Sequence, residues 1–467
     1  MCSTESAEPA SRSALTSPAL WNWTPHRQQQ IYHRTVAAER EYRKPWQFWI
    51  SSQPDPAERA RAWLTSPPPH TLPTLAGVPL ASAACGLSHC GVVTQEGQVL
   101  MWGNNSYGQV GPVKAATSWG SEDDEDVVVP YHMTDLARFE VDKLACGAFH
   151  NMALTSDGQL WTWGAGALGR GDEVYDSFPF PVHYFDDIQR TVTDIHASGD
   201  YSVAVTRATA TSDDPSTVTE AETAGPHEVY IWGYMPTSSL RPEAKATSPA
   251  LVKSLVGSRI HRLHCAPHFF SVLHSQPDEP QRPFLSVFGA LKPPPTPSSS
   301  PEHVGAASEG SDHQHELAAY PTYLDHLPDA RGVYDTEPAL VRHLADLPFE
   351  VTDVRRMAGT WGMQVFTLYD GRVFIMDYET LRYRPLVRDP TQDIEACGSG
   401  GMPRYRDVAV GACQVTVLDE QGRLFAWQDL DDPQRLVDKV RKEPATLLGQ
   451  DSGWRRLAAQ TDQFIVY

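Results

Sequence analysis

Two stretches of the chain repeat one another at fixed spacing, and that periodicity limits the possible folds more than any other feature. Ala84–Gly111 reads ACGLSHCGVVTQEGQVLMWGNNSYGQVG, and Ala145–Gly171 reads ACGAFHNMALTSDGQLWTWGAGALGRG. In each, a small-residue run ends at Gly86 or Gly147, and His89 or His150 follows three residues on. An apolar run, a turn at Gly97 or Gly158 and a second apolar run then lead to Trp102-Gly103 or Trp163-Gly164. Eleven residues separate the two glycines and sixteen separate the first glycine from the tryptophan in both copies, and Gly411, Gly422 and Trp427 keep the same intervals. Such a unit is a hairpin: short apolar strands around a turn whose glycine is free to take positive φ. A lone hairpin cannot bury its own faces, so units of this period must stack into a propeller or a solenoid.

The pattern ACGxxHxxALTxDGxLWTWGxxxxGxxG resembles the repeat of the regulator of chromosome condensation family. The resemblance implies an all-β fold, a seven-bladed β-propeller of four-stranded antiparallel blades. Weaker copies support the count. A third unit spans Ile195–Tyr234, with Gly199, Ser202 at the histidine place and Trp232-Gly233. A fourth, Leu263–Ala290, has Phe269 for the histidine and Phe288-Gly289 for Trp-Gly, and a fifth, Val351–Asp377, carries Gly359 and the Gly371 turn. The sixth is Tyr405–Gln428. The seventh is split: Ala19-Leu20-Trp21-Asn22-Trp23 reads as the second half of a unit, and the run from Trp454 through Phe464 and Val466 to Tyr467 reads as the first half. Pairing of the two halves, with Trp21, Trp23, Phe464 and Val466 at the join, closes the ring and leaves no open sheet edge.

The expected organisation is one propeller over 18–467, preceded by a polar, disordered 1–17. Within it, 24–70 is a helical insertion, 208–225 a flexible hairpin insertion and 292–318 a disordered loop rich in Pro and Ser. In 24–70, helical spacing of Ile31, Thr35, Ala38 and Tyr42 predicts a helix over Gln28–Lys44, and Asp55-Pro56 opens a second. Arg34, Arg40, Arg43, Trp46 and Trp49 make this insertion a candidate interface, because Arg and Trp are favoured at docking sites. Ala339–Leu347 reads as a short helix, and Gly359-Thr360-Trp361-Gly362 as a flexible connection.

The chain carries 38 Lys and Arg against 58 Asp and Glu, a formal charge of −20. That argues against nucleic acid and anionic membrane as broad partners, since both are held by Lys and Arg neutralising phosphate. No apolar run reaches the length of a membrane span, and the first residues lack a secretory apolar region. The seven Cys are odd in number, and Cys85, Cys146 and Cys265 share one repeat position, the pattern of small core residues in a reducing compartment. The compartment is read as intracellular, cytoplasmic or nuclear, with the mitochondrion left open.

Gly164-Ala165-Gly166-Ala167-Leu168-Gly169 fits G-x-G-x-x-G, but it aligns with Gly103–Gly108 of the first copy and has no crossover helix after it, so it reads as a repeat loop. His89 and His150 recur at one place, which in a repeat protein points to a shared packing role. No nucleophile motif, metal-ligand spacing or kinase set appears, so no catalytic, cofactor or metal residue is expected. The functional expectation is a non-catalytic scaffold for one or more protein partners. By resemblance to the family's founder, a second reading is guanine-nucleotide exchange on a small Ran-like GTPase. A third is a ubiquitin-ligase substrate adaptor or a fixed subunit of a large assembly. The Gly-Trp-Arg-His-Thr motifs that the family's plant ultraviolet-B photoreceptor uses are absent.

Overall fold

The computed structural model describes residues 19–21, 70–71, 75, 77–87, 89–113, 126–171, 175–208, 227–234, 245–266, 269–276, 283–289, 340–343, 347–360, 362–377, 382–387, 403–411, 414–428, 433–452, 454–460 and 463–466. The expectations for 1–17, for the helices in 24–70, for 209–225 and for 292–318 lie outside the described residues, as do Trp23 and the side chains of Trp21, Phe464 and Val466.

Strands dominate. The chain enters with β1 (Ala19–Trp21) and β2 (His70–Thr71). Blade 1 is β3 (Leu80–Cys85), β4 (His89–Thr94), β5 (Val99–Asn104) and β6 (Asp126–His132). Blade 2 is β7 (Val141–Cys146), β8 (His150–Thr155), β9 (Leu160–Gly164) and β10 (Asp176–Pro181), followed by the one-turn helix α1 (Tyr184–Asp187). Blade 3 is β11 (Arg190–Ser198), β12 (Tyr201–Ala208), β13 (Glu228–Tyr234) and β14 (Lys245–Leu251). Blade 4 is β15 (Arg259–Ala266), β16 (Phe269–Ser275), β17 (Pro283–Gly289) and β18 (Leu340–His343). Blade 5 is β19 (Val354–Thr360), β20 (Met363–Leu368), β21 (Val373–Asp377) and β22 (Tyr383–Pro385). Blade 6 is β23 (Tyr405–Val410), β24 (Gln414–Asp419), β25 (Arg423–Gln428), the helix α2 (Pro433–Lys442) and β26 (Thr446–Gln450). The chain ends in β27 (Leu457–Gln460) and β28 (Gln463–Val466).

These strands form seven four-stranded antiparallel sheets, six from contiguous sequence and a seventh in the order β2-β1-β28-β27. In that sheet Ala19, Leu20 and Trp21 pair with Val466, Ile465 and Phe464, so the split unit is joined at its middle. The innermost strands β3, β7, β11, β15, β19, β23 and β27 pack in succession, and β27 returns to β3. The ring is therefore closed.

The cores lie between blades rather than within them. Val93, Met101, Leu144, Trp161 and Trp163 form one cluster across blades 1 and 2, and equivalent clusters occupy the successive joints from blade 2 round to the split sheet. This is why a single hairpin cannot stand alone: each sheet buries its faces only against its neighbours.

Three local expectations are corrected. Leu340–His343 is the outer strand of blade 4, paired with Phe284–Val287, and not part of a helix. The apolar spacing of a short segment fits both structures, and the open edge of β17 decides. Gly359 and Thr360 are ordered strand residues of β19, because they pair with Gln364 and Met363. In blade 3, Tyr201 rather than Ser202 takes the histidine place. Tyr201 faces Gly233 as His89 faces Gly103 and His150 faces Gly164. The turns are equal in length, since Ser198 pairs with Tyr201 as Gly86 bonds His89, three residues on in each; only the glycine has moved one place along the chain, to Gly199. Helix α2 had no counterpart among the expected elements; Leu436, Val437 and Val440 bury one face of it against blades 5 and 6.

Candidate functional site

The residues that repeat most faithfully meet at the joints between blades 1, 2 and 3. The Gly86 amide donates to His89 O at 2.7 Å, and the Gly147 amide to His150 O at 2.8 Å, so each glycine begins a tight turn that folds the imidazole back over it. A Cβ on either glycine would lie 2.1 Å from the histidine Cε1. The G-x-x-H spacing thus has a steric cause.

Both imidazoles are fully buried. Asn151 Nδ2 donates to Gln109 O at 2.7 Å, which turns its Oδ1 toward His89 Nε2 at 2.8 Å. A carbonyl oxygen only accepts, so the His89 proton sits on Nε2. Ser202 Oγ donates to Ala167 O at 3.1 Å and accepts from His150 Nε2 at 2.8 Å, which fixes the same tautomer one joint on. Burial pushes His89 down to about 4 against the raising effect of Asn151. Burial, then the proximity of His89, pushes His150 down to about 3. Both rings are neutral at pH 7.

Tryptophan completes each joint. Trp163 Nε1 donates to Gln109 O at 3.0 Å and Trp232 Nε1 to Ala167 O at 2.9 Å, so one loop carbonyl of a blade is gripped twice by the next blade. The second of these carbonyls belongs to the G-x-G-x-x-G stretch. Gly169 has φ +73, and a Cβ there would lie 2.7 Å from Trp232 Nε1. That glycine makes room for an indole, not for a phosphate.

Past blade 3 the device changes. Tyr201 OH lies 2.6 Å from Ala266 O and 2.8 Å from Phe269 O, its one proton shared between the two carbonyls. Ser271 Oγ donates to Gln364 Oε1 at 2.9 Å, and Gln364 Nε2 to Ala358 O at 2.9 Å. Trp427 Nε1 turns instead to Glu443 O beyond α2. The remaining turn glycines, Gly97, Gly158, Gly371 and Gly422, all have positive φ, as do Gly103, Gly164, Gly199 and Gly233. Gly411 opens its turn by donating to Gln414 O at 2.9 Å. The candidate interface Arg34, Arg40, Arg43, Trp46 and Trp49 lies outside the described residues.

A second constellation escaped sequence reasoning. Six inner strands carry a bulge near their start, and the residues at which pairing resumes are Ser82, Lys143, Asp194, Arg262, Arg356 and Asp407. Neighbours in this row meet across blade boundaries. Lys143 and His196 both contact Asp194, His196 Nε2 donating to Oδ2 at 3.0 Å. Burial alone would raise the Asp194 carboxyl, but His196 and then Lys143 hold it below the usual carboxylate range. Burial first, and Lys143 second, lower His196 against the pull of Asp194. His264 donates to Gly359 O at 3.2 Å, and burial pushes it down to about 3. Asp407, fully buried, takes Arg355 at 2.6 Å, Arg356 at 3.4 Å and the Leu457 amide at 2.9 Å. The signal for this row was a charged residue at the start of successive first strands, but bulges shift the register that a fixed spacing assumes.

Among the described residues no group of three or more His, Cys, Asp or Glu is placed to hold a metal ion. No helix among them is long and apolar enough to cross a membrane, which says nothing of a β-barrel. Cys85, Cys90, Cys146 and Cys265 are buried free thiols.

Comparison with known proteins agrees with this geometry. The regulator of chromosome condensation (RCC1) repeat matches residues 81–109 and 141–170, and a second description of that repeat matches 96–154 and 157–205. The Arabidopsis thaliana ultraviolet-B receptor UVR8 is 38% identical over 109 residues, 23% of this chain and 23% of the receptor. The chain spans less than a third of the length of the curated relatives it matches. Among solved structures, human WBSCR16 superposes with a TM-score of 0.54 at 16% identity, covering 86% of this chain and 89% of that one. Yeast RCC1 (Prp20) superposes with a TM-score of 0.52 at 14% identity, covering 85% and 82%. At those identities the likeness shows the fold. Residues 81–205 match regulator of chromosome condensation repeats, and the described residues form a β-propeller similar in fold to that of yeast RCC1.

Proposed function

We propose that residues 18–467 act as one non-catalytic scaffold that holds protein partners on the loop-bearing faces of the ring. The observation that supports this best is how the repeat's polar residues are used. His89, His150, Trp163, Trp232 and Tyr201 are all buried and all spent on joints between blades. The groups with chemical potential therefore hold the ring together, and recognition is left to the segments that join the strands, the usual seat of recognition on a rigid scaffold. Gly86, Gly97, Gly147, Gly158, Gly371, Gly411 and Gly422 serve turns within this frame, and Gly359 lies in strand β19. An intracellular, reducing setting fits the buried free thiols.

Affinity purification of the full chain, with mass spectrometry, tests the scaffold. Stoichiometric recovery of one or more proteins is expected; a chain that emerges alone under every lysis condition refutes it. Exchange activity is the alternative that a single assay separates. Labelled GDP released from a Ran-like GTPase faster in the presence of micromolar chain would replace the scaffold with an exchange factor. Co-purification of a ubiquitin ligase would instead make it a substrate adaptor.

A further inference from the structure

The face that carries the inner-strand starts holds a run of arginines across blades 4 to 7. The amide of Tyr405, which starts β23, donates to Gly371 O, and that of Asp451, in the segment leading to β27, donates to Gly422 O, so both lie beside the hairpin turns of the preceding blades. Along this face Arg262 Nε donates to Arg355 O at 3.0 Å, and Arg355 Nη1 to Arg406 O at 2.9 Å. Arg406 Nη1 donates to Ser452 O at 3.1 Å and Trp454 O at 2.9 Å, and Arg455 Nη1 donates to the same Trp454 carbonyl at 3.0 Å. The guanidiniums of Arg262, Arg355 and Arg406 are oriented by backbone carbonyls farther round the ring, and that of Arg455 by the carbonyl of its own neighbour Trp454.

Backbone carbonyls orient a guanidinium without neutralising it. Three carboxylates on this face are paired, Asp407 with Arg355 and Arg356, Asp370 with Arg372 and Asp419 with Arg423, and Arg404 lies near enough to Asp370 to help lower its carboxyl; Asp353, whose carbonyl accepts the Tyr369 amide, is exposed. Among the described residues no carboxylate lies within ion-pair distance of Arg262, Arg404, Arg406 or Arg455. Arg404, whose Cβ packs near the Gly371 turn, is exposed, and so is Arg455. Arg262 Nη2 donates to the hydroxyl of Tyr369, a ring 64% exposed beside it. A chain of net charge −20 thus keeps four guanidiniums outside ion-pair distance of the described carboxylates on one face, those of Arg262, Arg406 and Arg455 held by backbone carbonyls.

We propose that this face binds an acidic segment of a partner protein, whose carboxylates pair with Arg404, Arg406 and Arg455 and whose backbone or apolar side chains rest on Tyr369. Guanidinium forks match carboxylates in bidentate geometry, and groups held in advance lose little freedom on binding. A protein segment is favoured over nucleic acid. A polynucleotide brings one charge per phosphate along its whole length against a strongly acidic chain, whereas a short acidic segment needs only as many carboxylates as there are open guanidiniums. This deepens the scaffold reading and rests on it.

The test uses the full chain and a fluorescein-labelled peptide of alternating Glu and Asp, followed by anisotropy. Saturable binding is expected, weakened at least tenfold in the double variant Arg404→Gln with Arg455→Gln and little changed by the charge-matched control Arg138→Gln with Lys253→Gln. An unchanged melting temperature shows that the double variant is folded. No saturable binding, or equal loss in both double variants, overturns the proposal. So does tighter binding of a single-stranded RNA of similar length with the same arginine dependence, which would make the face a nucleic-acid site. Purification separates this from failure of the scaffold. If wild type and Arg404→Gln/Arg455→Gln recover the same proteins in equal yield, the scaffold stands without this face; if neither recovers any, the scaffold itself falls.

Discussion

Acid should loosen the ring at the histidine joints, and His150 measures by how much. The folded-state value of His150 is about 3 against an ordinary 6.5, so the unfolded chain binds a proton that the folded chain refuses. Stability from this group is complete above the unfolded value and is lost as pH falls through 6.5 toward the folded value. Between pH 7 and pH 5 the linkage for one such histidine amounts to about 2 kcal/mol, because at pH 5 nearly all of the unfolded imidazole is charged and almost none of the folded one is. His89, at about 4, adds a similar amount. Replacing His150 by Gln keeps a donor for Ser202 Oγ and removes the titration. The assay is urea denaturation at both pH values, read as the difference in unfolding free energy between them. Packing losses in His150→Gln enter at both pH values and cancel in that difference. The variant's pH difference should be smaller than that of wild type by about 2 kcal/mol. An equal pH difference in both proteins would refute the buried neutral imidazole and with it the tautomer argument at this joint.

Gly147→Ala puts a Cβ 2.1 Å from His150 Cε1 and must displace the ring from Ser202; a loss of about 2–4 kcal/mol is expected in the same denaturation assay. Trp232→Phe keeps most of the core volume but drops the bond to Ala167 O, and should cost about 1–3 kcal/mol by thermal melting. Arg355→Ala leaves the buried Asp407 with only Arg356 and the Leu457 amide; about 2–4 kcal/mol should be lost, and Arg355→Lys should restore little of it. Removal of Asp451–Tyr467 takes away β27 and β28 and opens the ring between β23 and β3; the melting transition of the whole domain should broaden and fall, while deletion of Pro293–His315 leaves it within a degree or two.

The ring was legible because its repeat is local. Gly86, Gly97 and Trp102 are bound to one another by a hairpin, and a hairpin's geometry is written in consecutive residues. The split unit could be read for the same reason, since Trp21 and Phe464 each sit in half of a familiar pattern, and the backbones pair as that pattern requires. The fourth strand of each blade was not legible. Leu340–His343 lies fifty residues from the Gly289 it follows in the sheet, and its strand state is set by the open edge of β17 rather than by its own residues. The histidine place in blade 3 lies one position before the one that glycine spacing predicts, because Gly199 follows the residue equivalent to Gly86, which is Ser198, in a turn of the same length. The arginine row was hidden more deeply. Arg262, Arg355 and Arg406 lie far apart in sequence, and only the bulges and the ring bring each one to the next blade's carbonyl.

These two devices divide the ring between them. Where the repeat is faithful, the loop face of blades 1 to 3 is fastened by His, Asn, Ser and Trp side chains that reach one shared carbonyl per joint. Where it degrades, Phe269, Met363 and Gln414 occupy the histidine place, and neither nitrogen nor oxygen of the buried Gln414 side chain has a partner. In those blades the opposite face carries the arginine chain, which begins at Arg262 in blade 4 and ends on the carbonyls of Ser452 and Trp454 beside the split sheet. A closed ring needs every joint to hold, because one open joint exposes two sheet faces and the cores on either side of it. Loss of the histidine joint is therefore tolerable only where another fastening spans the same boundary. It follows that His150→Gln and Arg355→Ala act on separate joints through separate networks, and their effects on stability should add within about half a kcal/mol in the double variant.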